Sequence, residues 1–205
     1  MKKKFLSCIL ALMLLGNMPA YADADFTDVE EADYFYVSVL FSSEKGIIDG
    51  VGNNLFNPDG ILTFGEAIKI ASCIHANFYE KILTPYEVST HWADAYYDYA
   101  VENGIISETD FSKADFDKVI TRDRLFFIFA NTLPESEYFE INEVELAPEV
   151  PVADYIKKLF CAGIVIGSDV GFELENSIKR ADAVMVVSRM TAYTRRLLVF
   201  ENDAE

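Results

Sequence analysis

Two short motifs recur three times along this chain at a nearly constant interval. This self-similarity constrains the fold more than any single segment does. A Gly-Ile-aliphatic step ends a helical pattern at Gly46-Ile47-Ile48, Gly104-Ile105-Ile106 and Gly163-Ile164-Val165. A second marker follows each step: Leu62-Thr63-Phe64-Gly65-Glu66, Ile120-Thr121-Arg122-Asp123-Arg124 and Ile178-Lys179-Arg180-Ala181-Asp182. Its Thr63, Thr121 and Lys179 positions are evenly spaced, and Gly46, Gly104 and Gly163 keep the same spacing to within a single position. Two independent markers on one period imply three copies of a helix-loop-helix unit. One such pair is too small to bury its apolar face alone. The expected architecture is therefore mainly α, with three helix-loop-helix repeats packed as a pseudo-threefold bundle.

Local chemistry fills in each unit. Tyr36, Val39 and Leu40 form the expected buried stripe of the first helix, matched by Tyr96, Tyr99 and Ala100 and then by Ile156, Leu159 and Phe160. Gly46, Gly104 and Gly163 stop these helices, because the left-handed conformation at C′ costs any other residue a Cβ clash. The loop from Gly50 to Gly60 is dense in turn formers. As a calcium loop starting at Asp49 it fails, since Val51, Asn54 and Gly60 occupy the slots for a ligand, the glycine and the bidentate acid. It is expected to be a tight turn that aims Phe56 into the core. Thr63 with Glu66 forms a capping box for the second helix, whose buried face is Ile68, Ala71, Ser72 and His75. Thr121 keeps the cap but has Arg124 in the acid slot, and Lys179 stands where the third cap belongs.

The N-terminal segment, Met1 to Ala22, reads as a leader. Lys2, Lys3 and Lys4 precede an apolar run from Phe5 to Leu15, and Ala20-Tyr21-Ala22 offers a small-x-small cleavage pattern. Export with cleavage after Ala22 is expected, with no transmembrane segment left afterwards. Cys8 lies inside the apolar run and is not placed for lipid acylation. Cys73 and Cys161 sit among apolar residues and are expected to be buried free thiols. The formal charge is −17, and loss of the leader's three lysines makes the product more acidic still. Such a surface excludes a nucleic-acid partner, which requires a basic face. No zinc-binding spacing, cofactor motif or catalytic set is present, so no metal, no cofactor and no enzyme activity are expected. His75 is expected in the core, and His91 as a cap or surface residue.

In this order and at this period the motifs resemble the S-layer homology (SLH) family. That family's pattern runs from Phe-x-Asp-Val through a helix ending in Lys-Gly-Ile-Ile and a loop with Phe-x-Pro-Asp to Ile-Thr-Arg-Ala-Glu. The first unit matches with Phe26-Thr27-Asp28-Val29, Gly46-Ile47-Ile48, Gly50, Phe56-Asn57-Pro58-Asp59 and Leu62-Thr63. The second matches with His91-Trp92-Ala93, Gly104-Ile105-Ile106 and Ile120-Thr121-Arg122, and the third with Gly163-Ile164, Gly167, Phe172 and Arg180-Ala181. The implied layout is a leader at 1–22, SLH-like repeats at 26–80, 84–134 and 138–192, and a tail at 193–205, with no room for cargo.

The resemblance implies an exported module at the bacterial cell wall or surface. It would bind cell-wall polysaccharide, often pyruvylated, through grooves between units. The alternative is a degenerate copy that serves as a structural or interaction module for another envelope protein. Carried over by position, the ligand-binding residues are Arg122 and Arg180, with Trp92, Gly50 and Gly167 as further candidates. The free N–H groups of a helix N-terminus together with a guanidinium would make a carboxylate pocket there. Phe64 replaces the arginine in the first unit, so a groove built on it is expected to bind poorly. As a residue opening an amphipathic helix, Trp92 is expected to be a core wedge, with stacking on a sugar face as the alternative.

Overall fold

Helix endings show how this chain builds its elements. In the computed structural model, which describes residues 26–142, 152–167 and 171–197, six α-helices run in order. They are α1 (Tyr36–Glu44), α2 (Phe64–Phe78), α3 (Asp94–Glu102), α4 (Arg122–Ala130), α5 (Asp154–Cys161) and α6 (Arg180–Thr191). Short 3-10 turns lie at Lys113–Asp115, Glu135–Tyr138 and Tyr193–Arg195. The fold is mainly helical, and none of the described helices is long and apolar enough to cross a membrane. The expected leader lies outside the described residues.

Helices α1, α3 and α5 end in the same way. Gly46, Gly104 and Gly163 have φ of +63°, +70° and +68°. The following isoleucine N–H bonds back to Ser42, Ala100 or Leu159 at 3.0, 2.9 and 2.9 Å, closing a Schellman motif. That turn lays Ile47, Ile105 and Ile164 onto the helix end, where all three are buried. At Gly163 the demand is doubled, because a Cβ there would also lie 2.6 Å from the Leu197 carbonyl oxygen.

The buried stripe is displaced from the expected one. The positions seven and four before each glycine are buried: Val39 and Ser42, Tyr97 and Ala100, Ile156 and Leu159. Tyr36, Leu40, Tyr96, Tyr99 and Phe160 are only half-buried. Tyrosine is amphipathic, so periodic tyrosines mark the rim of a stripe as readily as its centre.

Each of α2, α4 and α6 packs chiefly on a helix other than the one that precedes it. Helix α2 packs on α3, α4 on α5 and α6 on α1. The reason lies in the loops. The first two N–H groups of α6 bond to the carbonyls of Gly60 and Pro58 at 2.8 and 3.0 Å. Those of α2 bond to Lys118 and Phe116, both at 2.9 Å, and those of α4 to Asn176 and Leu174 at 2.8 and 3.0 Å. The acceptors 58, 116 and 174, like 60, 118 and 176, keep the repeat interval of the sequence. Each helix start is thus held by a loop from another part of the chain, and its orphan donors are satisfied. Short antiparallel pairings join Ile61 to Lys179, Thr63 to Val119 and Thr121 to Ser177. They bury Leu62, Ile120 and Ile178 between them.

Side-chain caps follow the expected pattern. Thr63 and Glu66 form the capping box, Thr121 accepts from the Arg124 N–H, and Lys179 makes no side-chain cap. Phe56 is fully buried, as are Ile68, Ala71 and Ser72 to within a few per cent. Cys73 and Cys161 are free; Cys161 is buried and Cys73 only half-buried. His91 is half-buried, and its ring Nδ1 accepts from the Ala93 N–H at 3.1 Å.

His75 is buried in the α2–α3 contact. Its Nδ1 lies 2.8 Å from the Tyr99 hydroxyl, and its ring lies against Tyr79. Burial, and then the charge of Lys81, hold its pKa below the ordinary 6.5. The unfolded chain therefore takes up this proton first. The contribution is fully present above the ordinary pKa and is lost as pH falls from there towards the lowered one. Melting temperature is expected to fall between neutral and mildly acidic pH. That part of the fall should vanish in His75→Gln, and an unchanged pH profile in the variant would contradict it.

Candidate functional site

Arg180, Arg122 and Phe64 are the first residues of α6, α4 and α2. They occupy one repeated position of the sequence, but meet three different surroundings.

Arg180 is only 4% exposed. Its Nε donates to the Phe56 carbonyl at 2.9 Å, Nη2 to the Asp49 carbonyl at 2.6 Å and Nη1 to Glu66 Oε1 at 2.8 Å. The guanidinium also lies 5.0 Å from the centre of the Phe56 ring. Burial lowers its pKa, and the Glu66 charge opposes that pull. Beside it opens a groove of about 210 Å³ that brings together Gly50, Lys69, Trp92 and Arg180. Lys69 is ion-paired with Asp49. Both cations of this groove are therefore neutralised from within.

Trp92 is 49% exposed, contrary to the expected core position. Ala93 occupies the buried place next to it, which leaves the indole on the groove rim. Gly50 has a steric reason to be glycine. A Cβ there would lie 2.5 Å from the Leu55 carbonyl oxygen and 2.5 Å from the Phe26 ring. Gly50→Ala is expected to lower stability by about 2 kcal/mol through overpacking, read as a lower denaturant midpoint; an unchanged midpoint would refute the steric reading. Gly167 is exposed and its Cβ position is uncrowded, with nothing nearer than 3.6 Å. It lines neither groove.

Arg122 lies in a second groove of about 250 Å³, with Tyr34, Phe126, Asp182 and Arg189 among its walls. Its Nε donates to the Phe172 carbonyl at 2.9 Å, and its guanidinium stands 5.1 Å from the centre of the Phe126 ring. Among the described residues it forms no ion pair. The acid at the position equivalent to Glu66 is Asp182, and its Oδ1 accepts instead from the Tyr34 hydroxyl at 2.8 Å. That carboxylate, together with burial as the larger cause, pushes the Tyr34 hydroxyl up to about 12. Tyr34 and Trp92 are also related by the repeat interval. The phenol can donate to the acid below it, so among the described residues one groove has an arginine without an ion pair where the other has a closed one.

The N–H groups expected to join the arginines in holding a ligand are already used by the loop carbonyls at 174, 176, 58 and 60. Phe64 closes the third position. It is 4% exposed and stacks on Phe111 and Phe116, with centroids 5.2 and 5.9 Å away. Arg124, in the acid slot facing it in the repeat, donates to the Asp110 carbonyl and lies over Phe111.

Tyr34, Asp182 and Arg189 were not among the residues singled out from sequence. The interval from Trp92 back to Tyr34 was the available signal for the first. Asp182 stood in the acid slot, and nothing local marked Arg189.

The S-layer homology domain model matches residues 25–68. A surface-layer 125 kDa protein of Lysinibacillus sphaericus is 29% identical over 140 residues, which cover 65% of this chain and 11% of that protein. The chain thus spans about a tenth of the length of that relative. The matched segment ends at the start of α2 and takes in the Gly50 turn and the Thr63 cap, so residues 25–68 are similar to an S-layer homology domain.

Proposed function

We propose that this chain is a non-catalytic module of the bacterial cell envelope that anchors to an anionic cell-wall polysaccharide through the Arg122 groove. The observation that carries the reading is a half-buried guanidinium with no ion pair among the described residues, facing a cavity in a chain rich in acids. Residues 1–22 would be the export leader. The stretches 26–80, 84–134 and 138–192 would be divergent repeats about a pseudo-threefold axis, with 193–205 as a tail. The shared interval of the capping carbonyls supports that division. In the Arg180 groove the two carboxylates are held by Arg180 and Lys69, which favours binding over acid–base chemistry.

Purified cell walls should retain the protein, and Arg122→Ala should lower retention at least about tenfold, the cost of one charge-assisted contact. The melting temperature should stay within about one degree, as for a surface change. Equal retention of the variant would refute the reading.

A second reading has its own support. The closed pairs at Arg180 and Lys69 and the aromatic plug at Phe64 leave two of three positions without a free cation. A module that contacts another envelope protein would show this pattern. Walls would then fail to retain the wild-type chain.

A further inference from the structure

Arg189 belongs to the same groove as Arg122 but to a different helix, α6. At the repeat interval its counterparts are Cys73 and Asn131, so the first two units have no cation at this place. Its Nη1 reaches the Ile164 carbonyl at 3.3 Å, and among the described residues it forms no ion pair. Burial pulls its pKa down with no carboxylate opposing the pull. Arginine nevertheless stays protonated at any physiological pH.

The groove thus brings two guanidinium groups to one cavity of about 250 Å³ whose one acidic wall residue, Asp182, is engaged by Tyr34. Phe126, Val165 and Met185 supply apolar wall beside them. Neither guanidinium has an ion-pair partner among the described residues, so an oxyanion entering the groove would supply the missing counter-charge. The apolar wall suits the C–H face of a sugar ring.

We infer that Arg189, supplied by α6, is a second anion contact of this groove beside Arg122. The groove at Arg180, with Cys73 in the corresponding place and its cations internally paired, does not take the oxyanion. This inference rests on the wall-polymer reading and names a further residue of its site.

The test is a titration of the full chain, labelled with nitrogen-15, following the Nε–H signals of the arginines. Signals are assigned with Arg122→Lys and Arg189→Lys. The probes are glucuronate, glucose 6-phosphate and neutral glucose, with sodium chloride at matched ionic strength. Either anionic sugar is expected to shift the Arg122 and Arg189 signals together and leave Arg180 in place, while glucose and salt shift none of them. Which anion binds tighter distinguishes a carboxylate from a phosphate source. Arg189→Lys, which keeps the charge and loses the fork, should weaken the anion at least about tenfold.

Shifts at Arg122 with unchanged affinity in Arg189→Lys would overturn the role of Arg189 and leave the wall reading standing. The absence of shifts at both arginines, with walls still retaining the protein, would overturn the anion-contact assignment alone. The absence of both shifts and retention would overturn the wall reading itself.

Discussion

Arg180→Met is expected to lower stability by about 3 kcal/mol, the range for breaking a buried ion pair from one side. For a chain of this size that corresponds to a melting temperature roughly 6–12 °C lower. Methionine fills much of the space but leaves the Phe56 and Asp49 carbonyls without their donor, and Glu66 without its counter-charge. Glu66 keeps its other oxygen on the Thr63 N–H at 2.9 Å and is 27% exposed, so part of its charge returns to water. Glu66→Gln should cost less. The double variant should be more stable than the sum of the two losses predicts, by about 1–3 kcal/mol of coupling. Thermal melts of the four proteins read this cycle. An Arg180→Met protein that melts within about 2 °C of the parent would show that the pair does not hold the fold. The contrast with Arg122 matters most. One arginine of the repeated position serves the fold, and the other is the one proposed to meet a ligand.

Phe64→Arg should be more damaging still, although it restores the residue found at the other two positions. It removes a buried ring from the Phe111–Phe116 stack, worth about 3 kcal/mol or more. At the repeat interval the carbonyl of Ala114 corresponds to those of Phe56 and Phe172, but the new guanidinium would meet Arg124 where Arg180 meets Glu66. An unpaired cation in that setting adds a further cost of several kcal/mol. A large drop in denaturant midpoint, or failure to fold, is the expected outcome. Wall retention should not increase. Adding Arg124→Glu should recover part of the loss, because it supplies the carboxylate that Arg180 has in Glu66. A single Phe64→Arg protein as stable as its parent would show that Phe64 is not locked in by its neighbours.

Several features were legible in the sequence because their causes are local. A C′ glycine and a Thr63–Glu66 box depend on a few adjacent residues, and their chemistry can be read without the fold. Phe56 was legible because it is the largest apolar side chain among the turn formers around it. The partner of each helix was not legible. It is set by carbonyls at 58, 60, 116, 118, 174 and 176, and a backbone acceptor has no signature in side-chain identity. For the same reason the helix-start N–H groups looked free. Trp92 was misplaced because the buried stripe starts one residue later, at Ala93, a small residue that carries little signal. The difference between Arg122 and Arg180 depends on whether an acid is taken by a tyrosine in a distant unit, as Asp182 is by Tyr34. That competition involves residues 148 positions apart.

The loop carbonyls that cap α6 belong to the beginning of the chain, and the residues they serve lie about 120 positions further on, as the Lys179–Asp59 pair illustrates. An open solenoid can add one unit at a time to a finished neighbour. Here α1 and the Pro58–Gly60 loop stay without their partners until residues 178–191 have been made. Closure must therefore come late and be slow, since a long loop has to be ordered before its contacts repay the lost entropy. During synthesis α1 and its loop wait with apolar surface uncovered until α6, the last of the described α-helices, completes them.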